Sequence, residues 1–220
     1  VGPPTEQAFS WTSIDEQLSY VLNDLGADAR LGFAIEPAPV QQETRTERIP
    51  GEAYQVLHAT VATPCGELHS SVRITKDYPH RDIPFFSDWT VSRYVEPWIT
   101  TLEDAERFAS IYLPPTDKDL KCARDRLDSL KATAKRWRVP IIGSAGFALN
   151  GAIHTMGAER GILLGVDTPE VLETFLEAVY RRQSRMLDML LDLGVTTVIR
   201  NGWYDSTDFW SPGQFEKWVV

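Results

Sequence analysis

Residues 116–146, TDKDLKCARDRLDSLKATAKRWRVPIIGSAG, decide the class of fold. The first two-thirds spaces Leu120, Ala123, Leu127, Leu130, Ala134 and Trp137 by threes and fours, which lays one apolar stripe along a helix. Thr116 stands where an N-cap is needed. After Arg138 the period vanishes, and Val139 to Gly143 is a short apolar run of the kind buried in a parallel sheet. A helix running directly into such a strand is half of a βαβ unit.

The same pairing recurs on both sides. Upstream, Ser13 to Glu16 reads as a capping box, followed by Leu18, Val21, Leu22 and Leu25, a stop at Gly26, and a strand over 31–35. Downstream, Thr168 caps a helix with Pro169 in its first turn, where a missing N–H costs nothing. Its stripe runs from Leu172 through Phe175, Val179, Met186 and Leu190 to a stop at Gly194, and a strand over 196–200 follows. Thr101 to Asp104 is a looser start signal before Phe108 and Tyr112. Helices alternating with buried strands predict an α/β fold. Residues 53–98 interrupt the alternation. Ala53 to Thr63 and Glu67 to Ile74 alternate around Pro64-Cys65-Gly66 and predict a β-hairpin. Residues 79–98, rich in Pro and Trp, show no period, and the whole stretch is expected to be an excursion that covers the mouth of the main sheet.

Composition narrows the function. The chain has 220 residues, enough for a single domain with a core, and a formal net charge of −9. That charge repels a phosphate backbone, so no nucleic-acid partner is expected. No apolar run reaches the ~18 residues a membrane span needs, and no signal peptide is visible. Two isolated cysteines, Cys65 and Cys122, fit a reducing, cytoplasmic location. His58, Cys65 and His69 surround one turn, but their spacing is no known zinc pattern. Arg181, Arg182 and Arg185 read as a solvated outer face of a helix.

Four blocks, in order and together covering most of the chain, resemble the uroporphyrinogen decarboxylase superfamily. They are Thr63-Pro-Cys-Gly-Glu-Leu68; Val95-Glu-Pro-Trp98 with Thr101-Leu-Glu-Asp104; Pro140-Ile-Ile-Gly-Ser-Ala-Gly146; and the long helix to Gly194 leading through Val198–Trp203 to Ser211-Pro212 and Phe215. The superfamily holds porphyrinogen decarboxylases and methyltransferases that work with corrinoid proteins. The resemblance implies a (β/α)8 TIM barrel with its site at the C-terminal ends of the strands. Only some of the strand–helix units such a barrel needs are visible, and Ser211-Pro212-Gly213-Gln214-Phe215 reads as the start of another helix, so the expected architecture is a single barrel domain, incomplete over 1–220. An open strand edge would favour a homodimer.

The resemblance also carries positions. Glu36 stands where the family has a carboxylate after an early strand, and Pro37 would end that ladder. His154 falls at the family's substrate-contacting Tyr, eleven residues after Gly143. Asp205 falls at its small hydroxyl residue, seven before Pro212. These three are the candidate catalytic residues, with Ser144, Asn150, Trp203, Tyr204 and Asp208 as candidate substrate contacts. The Arg-rich motif that decarboxylases use on substrate carboxylates is absent, and Asp205 and His154 put charge where a polycarboxylate would be repelled. The implied activity therefore leans to corrinoid-linked methyl transfer on a small-molecule substrate. The alternatives are porphyrinogen decarboxylation and binding without catalysis. No metal ligand is assigned within these residues; zinc and a corrinoid partner protein are implied only for the full-length protein.

Overall fold

The computed structural model describes residues 11–36 and 39–219. Val1 and the Pro-rich start, Pro37 and Val220 lie outside the described residues.

Helix α1 (Ile14–Ser19) is capped by Ser13, whose hydroxyl accepts from the Glu16 N–H, and it widens into a π turn over Tyr20–Asp24. Strand β1 (Leu31–Phe33) follows. The chain then leaves for an antiparallel sheet: β2 (Glu43–Glu47), β3 (Gln55–Thr63), β4 (Gly66–Ile74) and β5 (Tyr94–Glu96), bonded in that order. The expected hairpin is β3–β4. At its turn Gly66 takes φ 117°, a conformation that a Cβ disfavours, and the Thr63 hydroxyl accepts from the Cys65 N–H. A one-turn helix α2 (Asp88–Val91) sits between β4 and β5. Helices α3 (Leu102–Ile111) and α4 (Asp117–Trp137) both open with reciprocal capping boxes, Thr101 with Asp104 and Thr116 with Asp119. Then come β6 (Ile141–Phe147), α5 (Leu149–Met156), α6 (Ala158–Asp167), α7 (Pro169–Asp192), β7 (Val198–Asn201) and α8 (Pro212–Trp218). The predicted start at Ser211 is a capping box with Gln214.

The three strands read from the alternation form one parallel sheet in chain order, β1-β6-β7. Among the described residues it does not close into a barrel. Register places Phe33, Gly143 and Val198 on one face and Gly32 and Ile142, with Ser144 opposite Ile199, on the other. The first face is covered by Ala123 and Leu127 of α4, by Met189 and Leu190 of α7 and by Leu193 just after it. Gly143 is needed there: a Cβ would come within 3.1 Å of Leu190 and Val195. Among the described residues the second face is the less covered one. Gly32 is exposed with nothing within 4 Å of the Cβ it lacks, and Ile142, Ser144 and Ile199 are only half-buried.

The stretch expected to cover the mouth does something larger. The antiparallel sheet presses Leu57, Ala59, Val61, Leu68 and Val72 against Trp98, Phe108, Ile153, Phe175 and Trp210, which makes the largest core of the molecule. It begins earlier than expected, at Glu43, because β2 is wholly exposed and shows no apolar pattern. Helix α7 runs through both cores, its N-terminal half against the antiparallel sheet's core and its C-terminal half against β6. No helix among the described residues is long and apolar enough to cross a membrane.

Candidate functional site

Beyond the C-terminal ends of β6 and β7 the chain builds a connected polar cluster. Helix α5 starts at Leu149 without a side-chain cap from Ala148. The cap comes from a distant loop instead: Asp205 Oδ1 accepts from the Asn150 N–H at 2.6 Å. Asn150 answers with its Oδ1, which accepts from the Tyr204 N–H at 3.1 Å. These two bonds fasten the loop after β7 to the first turn of α5. Asp205 is nearly sealed, its side chain 6% exposed, and its Oδ2 is buried without a hydrogen bond among the described residues, 3.6 Å from Arg200 Nη2. Burial pushes the Asp205 carboxyl up from the usual range, against the opposing pull of the Asn150 N–H and Arg200.

His154 lies one turn further along α5 and is 2% exposed. Its Nε2 lies 3.0 Å from Asp88 Oδ1, and Tyr204 Oη donates to the same oxygen at 3.0 Å. A carboxylate accepts only, so this bond puts the imidazole proton on Nε2 of the neutral ring and leaves Nδ1, buried and without a partner among the described residues, as a lone pair. Burial lowers the His154 pKa more than the Asp88 bond raises it, which favours the neutral ring. Burial, then Asp88, raises that of Tyr204. Around the ring, Phe147 and Tyr204 meet His154 edge-on at 5.5 and 6.0 Å, and Phe147 also meets Trp203 at 6.4 Å.

Asp205, Asn150, Tyr204 and His154 are thus brought together, with Trp203 beside them. His154 and Asp205 sit behind the surface, and the polar side chains of the cluster that reach solvent are Tyr204, Asp88 and Arg200. Ser144 lies on the less covered face of β6, one strand position from the covered Gly143. Asp208 is exposed and, among the described residues, bonds only its own loop, through Ser206.

Glu36 does not join this cluster. Its carboxylate, 70% exposed, pairs with Arg126 of α4 at 2.7 Å. It lines a separate cleft of about 810 Å³ between β1 and the α3–α4 connection, with Phe86, Tyr112, Lys118 and Arg182 among the walls. Arg182 is likewise not on a solvated face. Its guanidinium stacks 4.1 Å from the Tyr112 ring centroid and donates to the Leu113 carbonyl.

Sequence reasoning missed Asp88, Phe147 and Arg200. Ser87-Asp88 has the local look of a helix start, which it is. Nothing local says that Asp88 also reaches a histidine 66 residues away. Among the described residues no three of His, Cys, Asp and Glu come together as a metal site. His58 and His69 instead approach Glu47 and Glu67.

No family model, no curated protein and no solved structure matches this chain. The site therefore rests on its own geometry.

Proposed function

We propose that the chain forms part of the wall of a (β/α)8 barrel of the uroporphyrinogen decarboxylase superfamily, and that its mouth serves corrinoid-linked methyl transfer to or from a small molecule. One observation carries the reading. The parallel strands run in chain order with α4 and α7 on one common face, and the polar cluster lies beyond their C-terminal ends. Doubly wound sheets reverse their strand order and place helices on both faces; a barrel does neither. A less covered second face is what a barrel buries by closing on itself, since parallel sheets are otherwise covered on both sides.

The charge of the mouth favours methyl transfer over porphyrinogen decarboxylation. Asp88 and Asp208 are exposed, and no Lys or Arg among the described residues pairs with either; Arg200 lies beside the buried Asp205. A substrate with many carboxylates would meet net repulsion. In this reading Tyr204 and Asp88 contact the substrate. His154 is a positioning residue that holds Asp88 through a neutral imidazole. Asp205 holds the loop of Tyr204 against α5. Zinc, which the superfamily's methyltransferases use, has no ligand set among the described residues, and no step here runs through it.

The test supplies full-length protein with cob(I)alamin, free or on a corrinoid protein, and a panel of methyl donors. Methylcobalamin formation is followed by absorbance, and uroporphyrinogen consumption is measured in parallel. Methylation that falls in the Tyr204→Phe variant is expected. Porphyrinogen turnover without methylation would replace this reading with the decarboxylase, and turnover of neither would replace it with a binding protein.

A further inference from the structure

Trp203 is 65% exposed, an unusual position for the largest apolar side chain. It is not alone. Phe147 lies 6.4 Å from it, His154 bridges Phe147 to Tyr204, and Tyr204 stacks edge-on with Phe209 at 5.3 Å. The result is an aromatic shelf at the ends of β6 and β7, with Trp203 exposed, Phe147, Tyr204 and Phe209 half-buried and His154 sealed beneath them. Asp88 stands at its edge. Two donors, Tyr204 Oη and His154 Nε2, converge on Oδ1 and fix the carboxylate in place. Its Oδ2 has no hydrogen bond among the described residues, and the side chain is 56% exposed. No Lys or Arg among the described residues pairs with Asp88 or Asp208.

A fixed carboxylate that no Lys or Arg among the described residues pairs with, beside an aromatic group whose Trp203 is exposed, matches one ligand chemistry. Aromatic faces attract cations through the ring quadrupole, most strongly when the cation is weakly hydrated. A neutral ligand can gain only a hydrogen bond from the carboxylate, and anions are repelled by it. We propose that this shelf binds an organic ammonium ion, with its alkylated nitrogen over Trp203 and Tyr204 and its charge against Asp88 Oδ2. The inference rests on reading the C-terminal strand ends as the site, and it names the substrate class of that site.

Choline and 3,3-dimethylbutan-1-ol have the same shape and differ in charge. Calorimetric titration of each into the full-length protein, with saturation-transfer NMR on the methyl singlets, separates charge recognition from apolar contact. Choline is expected to bind, and the neutral isostere to bind at least about tenfold more weakly. Asp88→Asn keeps an oxygen for both donors and should weaken choline about fivefold to thirtyfold while leaving the isostere unchanged. Trp203→Ala, a surface change that does not threaten the core, should weaken choline to a similar degree. Equal binding of choline and isostere, no binding of either, or choline binding untouched by Asp88→Asn overturns the inference, even if cobalamin methylation from neutral donors is found. Choline bound through Asp88 without any cobalamin methylation leaves the ammonium site standing and removes the methyl-transfer reading alone.

Discussion

Replacing Asp205 by alanine tests whether the loop after β7 is held by a tertiary helix cap. The wild-type carboxylate satisfies the Asn150 N–H at 2.6 Å, at the start of a helix that has no cap from Ala148. Losing an N-cap acceptor costs about 0.5–2 kcal/mol, and stranding a buried donor costs about 1–3 kcal/mol. These describe the same N–H, so they do not add. The Arg200 pair, at 3.6 Å and with a third of the Arg200 side chain exposed, contributes about 0–1 kcal/mol. Against this, the variant no longer buries Oδ2 without a hydrogen-bond partner among the described residues. A net loss of about 1–3 kcal/mol is expected for Asp205→Ala. Asp205→Asn retains an acceptor and sheds the buried charge, so it should stay within about 1 kcal/mol of wild type. Urea unfolding at neutral pH, followed by circular dichroism, measures both. The pH dependence carries a second signature. The folded-state pKa of Asp205 is raised, so its contribution is fully present below the unfolded value near 3.8 and is lost as pH rises through the raised folded value. Wild type should therefore gain stability relative to Asp205→Asn on acidification. An alanine variant as stable as the asparagine one would refute the cap.

Other consequences follow from the same contacts. A Cβ at Gly202 would lie 2.7 Å from Asp205 Oδ2, so Gly202→Ala should displace that carboxylate and lower the urea midpoint in the manner of Asp205→Ala. At Gly151 a Cβ would meet Phe86 at 3.0 Å and Phe175 at 3.3 Å, so Gly151→Val should cost about 1–3 kcal/mol by overpacking, read from thermal unfolding. NMR titration should place the His154 pKa below 6.5, and Asp88→Ala should lower it further by removing the bond that raises it. The stability tied to neutral His154 is full above that unfolded value and is lost as pH falls through the window down to the lowered folded pKa. Glu36→Gln breaks only an exposed pair with Arg126 and should change neither stability by more than about 1 kcal/mol nor ligand binding at the mouth.

The parallel sheet was legible because its strands and helices announce themselves locally. Thr116, Thr168 and Gly194 mark helix ends, and the apolar runs at 139–143 and 196–200 have the composition of covered strands. Strand β2 was not legible, since Glu43 to Glu47 buries nothing and forms only by pairing with β3. The site was legible in part. The loop 201–210 stood out by its aromatics and carboxylates, Asn150 by flanking the loop after a strand, and His154 only through its position in the family resemblance. What each side chain meets was not, because the partners are distant in sequence. Arg126 takes Glu36 from α4, and Asp88 reaches His154 from α2, 66 residues away in sequence. The Arg182 stripe position reads as solvated until the α3–α4 connection lays Tyr112 beneath it.

The barrel account stands or falls on what lies against β1 and β7 in an experimental structure of the full-length protein. It predicts further parallel strands bonded to the outer edges of both, with Gly32, Ile142, Ser144 and Ile199 turned into a closed interior and Tyr204 and Asp88 at its mouth. An antiparallel neighbour on either edge, or an open sheet whose second face is covered by helices, would contradict it.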